Sequence, residues 1–118
     1  MKIGVVLESF RKTFPESVKE AAALKLDGIQ AYAGQAFPFE ADAAVLAEVK
    51  RIVDGEGLSF SAICGDFGCA MYYEKDRKLI DREKRILEMA KELGTNIVTT
   101  HIGVIPETKD CVQYESMH

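Results

Sequence analysis

No apolar run in these 118 residues approaches the length needed to span a bilayer, so no transmembrane helix is expected. A secretory leader is not expected either, because only five uncharged residues separate Lys2 from Glu8. Positive charge does not dominate. Fifteen basic residues against nineteen acidic ones give a net charge of −4, which argues against a nucleic-acid backbone or an anionic membrane as the main partner. It leaves room for a local basic pocket that holds a phosphate group. Cysteine is scarce and odd in number. Cys64, Cys69 and Cys111 read as free thiols in a reducing cytoplasm, not as a disulfide framework. Cys64 and Cys69 form a C-x4-C pair, but no second pair or flanking histidine completes a structural zinc site. No Asn-Gly hairpin signal occurs. What remains, 47% hydrophobic and 29% charged residues, is the composition of one soluble, core-forming domain over residues 1–118.

Four apolar segments alternate with three helical patterns. Residues 2–7 form a near-continuous apolar run, as in a strand buried on both faces of a parallel sheet, and the run ends at Glu8. Thr13 and Glu16 have capping-box spacing, with Pro15 in the first turn, so a helix opens there. Asp27-Gly28 is expected to stop that helix and start a second strand, followed by a loop at Gly34-Gln35. A second helix is expected over 42–54, with Val45, Val49, Ile52 and Val53 on one side, ending at Gly55-Glu56-Gly57. Residues 58–64 make a third strand that runs into Gly65-Asp66-Phe67-Gly68. The pattern over 77–93 predicts the clearest helix. Its stripe is Leu79, Ile86, Ala90 and Leu93, widened by Ile80 and Leu87, with Gly94 as the stop. The fourth strand is Asn96-Ile97-Val98-Thr99-Thr100-His101-Ile102-Gly103. Side chains alternate along it, so Thr99 and His101 share one face. Residues 104–118 read as a loop and the start of a truncated fourth helix. The order β-α-β-α-β-α-β, with crossovers of βαβ size, predicts an α/β fold with a parallel sheet, either open and doubly wound or part of a barrel.

Three stretches carry a family resemblance. They are Leu26-Asp27-Gly28-Ile29-Gln30-Ala31-Tyr32, Ser61-Ala62-Ile63-Cys64-Gly65-Asp66, and the run from Leu93 through Asn96 and His101 to Gly103. Together they resemble the sugar phosphate isomerase/epimerase family of the xylose-isomerase-like TIM-barrel superfamily, which also contains endonuclease IV. The resemblance covers essentially the whole chain and implies a parallel (β/α)4 half of a TIM barrel, since family members have eight strand–helix units. It further implies a divalent metal, Mn, Mg or Zn, at the carboxyl rim. The carboxylate ligands of that metal are expected in the missing half, and His101 is the only metal candidate here. Many relatives carry a glutamate where this chain has Gln30. A glutamine can hydrogen-bond a substrate hydroxyl but cannot act as a general base.

Isomerisation or epimerisation beside a carbonyl needs a base for a weakly acidic proton and an electrophile for the resulting oxyanion. His101 and Glu8 are the catalytic candidates. Asp66, Gln30 and Gln35 are the substrate-binding candidates. Each also has a plain reading. His101 can simply bond a neighbouring carbonyl, Glu8 can pair with Arg11 or Lys12, Asp66 between glycines can shape a turn, and the glutamines can face solvent. The expected activity is metal-dependent isomerisation or epimerisation of a sugar or sugar phosphate in the cytoplasm. The chain would then be the N-terminal half and incomplete as a catalyst. The alternatives are a non-catalytic, self-associating half-barrel and an endonuclease IV-like phosphodiesterase. The last is disfavoured by having only His101 and His118 and no basic stripe. A half-barrel has two open sheet edges, and Val5, Ile63 and Ile97 are expected to face inward without partners, so a homo-oligomer is expected.

Overall fold

The computed structural model describes residues 1–65 and 77–101. Asp66, Cys69, Cys111, His118 and the expected loop and helix start at 104–118 lie outside the described residues. Eight elements follow in order. They are strand β1 (Gly4–Val6), a 3-10 turn (Leu7–Phe10), helix α1 (Phe14–Ala23), strand β2 (Gly28–Tyr32), helix α2 (Ala43–Gly55), strand β3 (Ser59–Cys64), helix α3 (Arg77–Glu92) and strand β4 (Val98–Thr99).

The four strands form one sheet in the order β1-β2-β3-β4, and every pairing is parallel. Sequential order with parallel pairing puts each connecting helix on the same face, as in a barrel wall rather than a doubly wound sheet. The core lies between that face and the helices. Ile29, Ala31, Phe60 and Ile63 from the strands meet Val18, Ala21, Leu46, Val53, Ile86 and Met89 from the helices. Here the expectation for the inward residues is corrected. Ile63 is fully buried and Val5 packs against this core, so both point at the helices; only Ile97 is left out, with 52% of its surface exposed.

The helix ends follow local chemistry. At α1 the Glu16 carboxylate accepts from both the backbone N–H and the hydroxyl of Thr13, at 3.1 and 2.8 Å. Those bonds hold the Glu16 carboxyl below the usual carboxylate range. Asp42 caps α2 by accepting from the Val45 N–H at 2.9 Å. Gly94, at φ 91°, ends α3 as its spacing predicts. Helix α1 stops earlier than expected, because Lys25 takes up the left-handed conformation at φ 56°, three residues before Gly28. On α2 the buried residues are Leu46, Val49 and Val53, while Val45, expected on that side, is 40% exposed. On α3 Ile86, Ala90 and Leu93 are buried as their spacing predicts and Met89 joins them, while Ile80 and Leu87, expected to widen the stripe, face solvent.

Among the described residues, no helix lies on the other face of the sheet. A concavity of about 700 Å³ runs along it, lined by Gly4, Val6, Gly28, Gln30, Ser59 and Ser61 among others. Small residues are required here, since a Cβ on Gly4 would stand 2.9 Å from the Gly28 carbonyl oxygen of the next strand. This hollow opens towards the amino ends of the strands, at Lys2, Asp27 and Gly57, away from the rim where parallel barrels place their chemistry.

Candidate functional site at the carboxyl rim

Glu8 sits in the 3-10 turn just past β1, and its Oε1 accepts from the Tyr32 N–H at 2.8 Å. That bond ties the carboxyl end of β1 to the carboxyl end of β2. The pairing with Lys12 is not the one made, because the Lys12 ammonium goes to Glu20. Glu8 Oε2 is buried and has no hydrogen-bond partner. It lies beside a small cavity of about 50 Å³ whose lining includes Leu7, Lys12, Phe14, Ser17 and Gln35. That space admits a water molecule or a single hydroxyl group, which is what an unpaired carboxylate oxygen requires. The structure therefore brings Glu8 and Gln35 together.

Gln30 faces the side of the sheet away from the helices. Its Nε2 donates to Thr99 Oγ1 at 3.3 Å, reaching over β3 from β2 to β4. A register shift between Ile29 and Gln30 makes room for this, with Ser61 displaced so that its hydroxyl bonds the Ile29 carbonyl at 2.9 Å. Gln30 is thus committed to positioning Thr99, and its amide oxygen remains the group that could meet a ligand. His101 lies two residues beyond the end of β4 and is exposed.

Among the described residues, no three His, Cys, Asp or Glu side chains gather closely enough to hold a metal ion. His101 could supply one ligand at most, so these residues do not by themselves make a metal centre.

One residue escaped the sequence reading. Glu83 stands on the buried side of α3, at the helical position between Leu79 and Ile86. Its carboxylate reaches the rim. Its Oε2 lies 3.4 Å from where a Cβ on Gly65 would stand. Its Oε1 is buried without a partner, and burial pushes the carboxyl up from its ordinary value of 4.5. The signal was available: 79, 83, 86, 90 and 93 share one helical face, and only 83 is charged.

Four parallel strands in sequential order, helices on one face and polar groups at the carboxyl rim are half of a barrel wall. Residues 18–117 match the family described as xylose isomerase-like TIM barrel. The chain belongs to that family. No curated protein matches it. Among solved structures it is similar to a xylose isomerase domain protein from Planctomyces limnophilus, at 20% identity and a TM-score of 0.66 over 98% of this chain and 45% of that one. It is similar to the probable 3-DHS dehydratase AsbF from Bacillus anthracis, at 18% identity and a TM-score of 0.62 over 85% of this chain and 38% of that one. It is also similar to a D-psicose 3-epimerase, at 18% identity and a TM-score of 0.63 over 86% of this chain and 37% of that one. The chain spans less than half the length of each, and at these identities the likeness shows the fold alone. Among the described residues, no helix is long and apolar enough to cross a membrane.

Proposed function

We propose that this chain supplies the N-terminal half of a metal-dependent isomerase or epimerase acting on a sugar or sugar phosphate. The observation that carries the reading is the rim. Glu8 and His101 lie just beyond the carboxyl ends of two parallel strands, and Gln30 lies within a third, in a fold whose chemistry gathers at that end. His101 is the proton carrier. Glu8 accepts a substrate hydroxyl through its unpartnered oxygen. Gln35 and the free amide oxygen of Gln30 hydrogen-bond further hydroxyls, and Asp66 is assigned to the same role. The metal's carboxylate ligands belong to the half of the barrel outside this chain. Cys64, a buried free thiol, fits a reducing cytoplasmic setting.

The test is solvent exchange. The chain, joined to a C-terminal half-barrel that carries the metal's carboxylate ligands, is incubated in D₂O with Mn²⁺, Mg²⁺ or Zn²⁺ and a panel of ketoses and ketose phosphates, over a range of protein concentrations. Deuterium is then read by NMR at the carbons beside the carbonyl. The expected result is exchange in at least one substrate, rising with protein concentration and lost in His101→Asn. Absence of exchange at every concentration would sink the catalytic reading. The second reading, a non-catalytic half-barrel that pairs with another copy, is favoured by the open edges at β1 and β4. Light scattering that finds only monomer removes it.

A further inference from the structure

We propose that Thr95 and Ser61 are positioning residues for Gln30. Their two hydroxyl groups pin the extra residue of β3 at Ser61, and that pin aims the Gln30 carboxamide across β3 at Thr99. The inference rests on the proposed function for the use of Gln30 as a substrate contact. The geometric link stands without it.

The first observation is that burial asks for an extra residue in β3 without fixing its place. On β2 the residues that meet the helices are Ile29 and Ala31, two apart, and on β3 they are Phe60 and Ile63, three apart. A strand of period two puts Phe60 and Ile63 on one face only if a β-bulge absorbs one residue between them. Ser61 and Ala62 both satisfy that demand. The register shows which is taken. Ile29 pairs with Phe60 and Gln30 with Ala62, which leaves Ser61 out of the ladder with β2.

The second observation is how that choice is held. The Ser61 hydroxyl donates to the Ile29 carbonyl at 2.9 Å. The Ser61 carbonyl accepts from the Thr95 hydroxyl, also at 2.9 Å. Thr95 is buried, and its hydroxyl is used in both senses, because the same Oγ1 accepts from the Ile97 N–H at 3.2 Å. The Ile97 carbonyl in turn accepts from the Ile63 N–H at 3.0 Å. One hydroxyl therefore joins the bulge in β3 to the residue that leads into β4.

The third observation is what the placement does at the rim. Gln30 has Ala62 beside it, whose single methyl leaves the way across β3 open, and its Nε2 reaches Thr99 Oγ1 at 3.3 Å. The Thr99 end of that bond is set by the β3–β4 register, through Cys64↔Thr99 and the Gly65 N–H on the Thr99 carbonyl at 2.7 Å. With the carboxamide nitrogen given to Thr99, the amide oxygen is the part left to meet a ligand hydroxyl. A bulge at Ala62 instead would set Gln30 opposite Ser61 and give its carboxamide a different reach.

The experiment reads the Gln30 side-chain amide by NMR. Gln30→Ala identifies its resonances, and Thr99→Val gives the positions they take once the bond to Thr99 is gone. Thr95→Val exchanges the hydroxyl for a methyl of similar size. It is expected to move the Gln30 signals most of the way to their Thr99→Val positions. It should also speed exchange of the Ile97 amide proton roughly tenfold, the worth of about one hydrogen bond. Thr95→Ser keeps the hydroxyl and should keep the parent signals. Ser61→Ala removes the other half of the pin and should move them as Thr95→Val does. Asp42→Ala, which loosens the fold at the cap of α2, should leave them in place. Parent-like Gln30 signals in Thr95→Val or in Thr99→Val would overturn the proposal, as would equal movement by Val and Ser at position 95, or by Asp42→Ala. Should Thr95→Val fail to fold, Ser61→Ala decides, and parent-like signals there overturn the proposal. None of these readings needs sugar turnover. A chain that exchanges no deuterium but loses its Gln30 position in Thr95→Val fails as a catalyst and keeps the pin, and the reverse pattern keeps the catalytic reading and removes the pin.

Discussion

Ile29 and Ile63, on the two central strands, are fully buried, whereas Ile97, just before β4, leaves about half its surface in water. The same residue type meets two different environments a few ångströms apart. Strands β2 and β3 have a neighbour on each side and helices behind them. Among the described residues, strand β4 has one neighbour and a two-residue ladder. Burial secures the centre. The described ties at the corner that leads to His101 include individual polar bonds, from Gly65 and Gln30 to Thr99. The centre should therefore answer to volume and the corner to hydrogen bonding.

The sharpest way to break that contrast is to truncate the same side chain in both places. Ile63→Ala is expected to cost about 3–4 kcal/mol of unfolding free energy, as for a fully enclosed site that cannot collapse. Ile97→Ala should cost less than about 1 kcal/mol, because half of that side chain never left water. Urea titrations of the two variants check the pair, and equal losses would remove the distinction. The next largest effect is expected at Gly34, in the loop after β2. Its φ of 89° and a Cβ position 2.5 Å from the Phe39 ring make Gly34→Ala strained on two counts. A loss of roughly 1–3 kcal/mol is expected by the same titration. Asp42→Ala should follow at about 1 kcal/mol, the usual cost of an N-cap, and it should leave the Gln30 side-chain amide signals untouched.

Much of the centre was legible in the residues alone, because it depends on period and punctuation. The four β-rich runs, the Thr13-Glu16 spacing and Gly94 as a stop are local signals, and local energetics decided them. Where the reading slipped, tertiary context had the deciding vote. Val45 and Leu46 both fit an amphipathic α2, and only the position of the sheet selects Leu46. Lys25 ends α1 in a left-handed conformation that composition does not favour for lysine. At the rim, Gln30 could be placed on a strand from its surroundings, but its bond to Thr99 spans 69 residues and depends on a register shift that no single segment shows. Glu83 was passed over for a simpler reason. A charge in a strong helical pattern reads as solvated face unless its angle around the helix is checked against the stripe.

The smallest expected effect is the most informative about that carboxylate. Burial raises the Glu83 carboxyl above its unfolded value of 4.5. Below pH 4.5 the group is protonated in both states and burial carries no charge penalty. As pH climbs through the raised folded value, the folded protein must ionise a desolvated carboxyl or hold its proton against the solvent, and stability falls. Glu83→Gln is neutral throughout and escapes that fall. The stability of Glu83→Gln relative to the parent should therefore start near zero in acid, rise above pH 4.5, and level off once the parent's carboxyl has ionised. Glu16 and Glu48, whose carboxyls are held low by Thr13 and by Arg51, pull the other way as pH drops, but both are common to the two proteins and cancel in the difference. Urea titrations from pH 4 to pH 8 provide the measurement. A flat difference would mean that the Glu83 carboxylate is well solvated, and that α3 meets the strand ends as a surface charge and not through a buried tie.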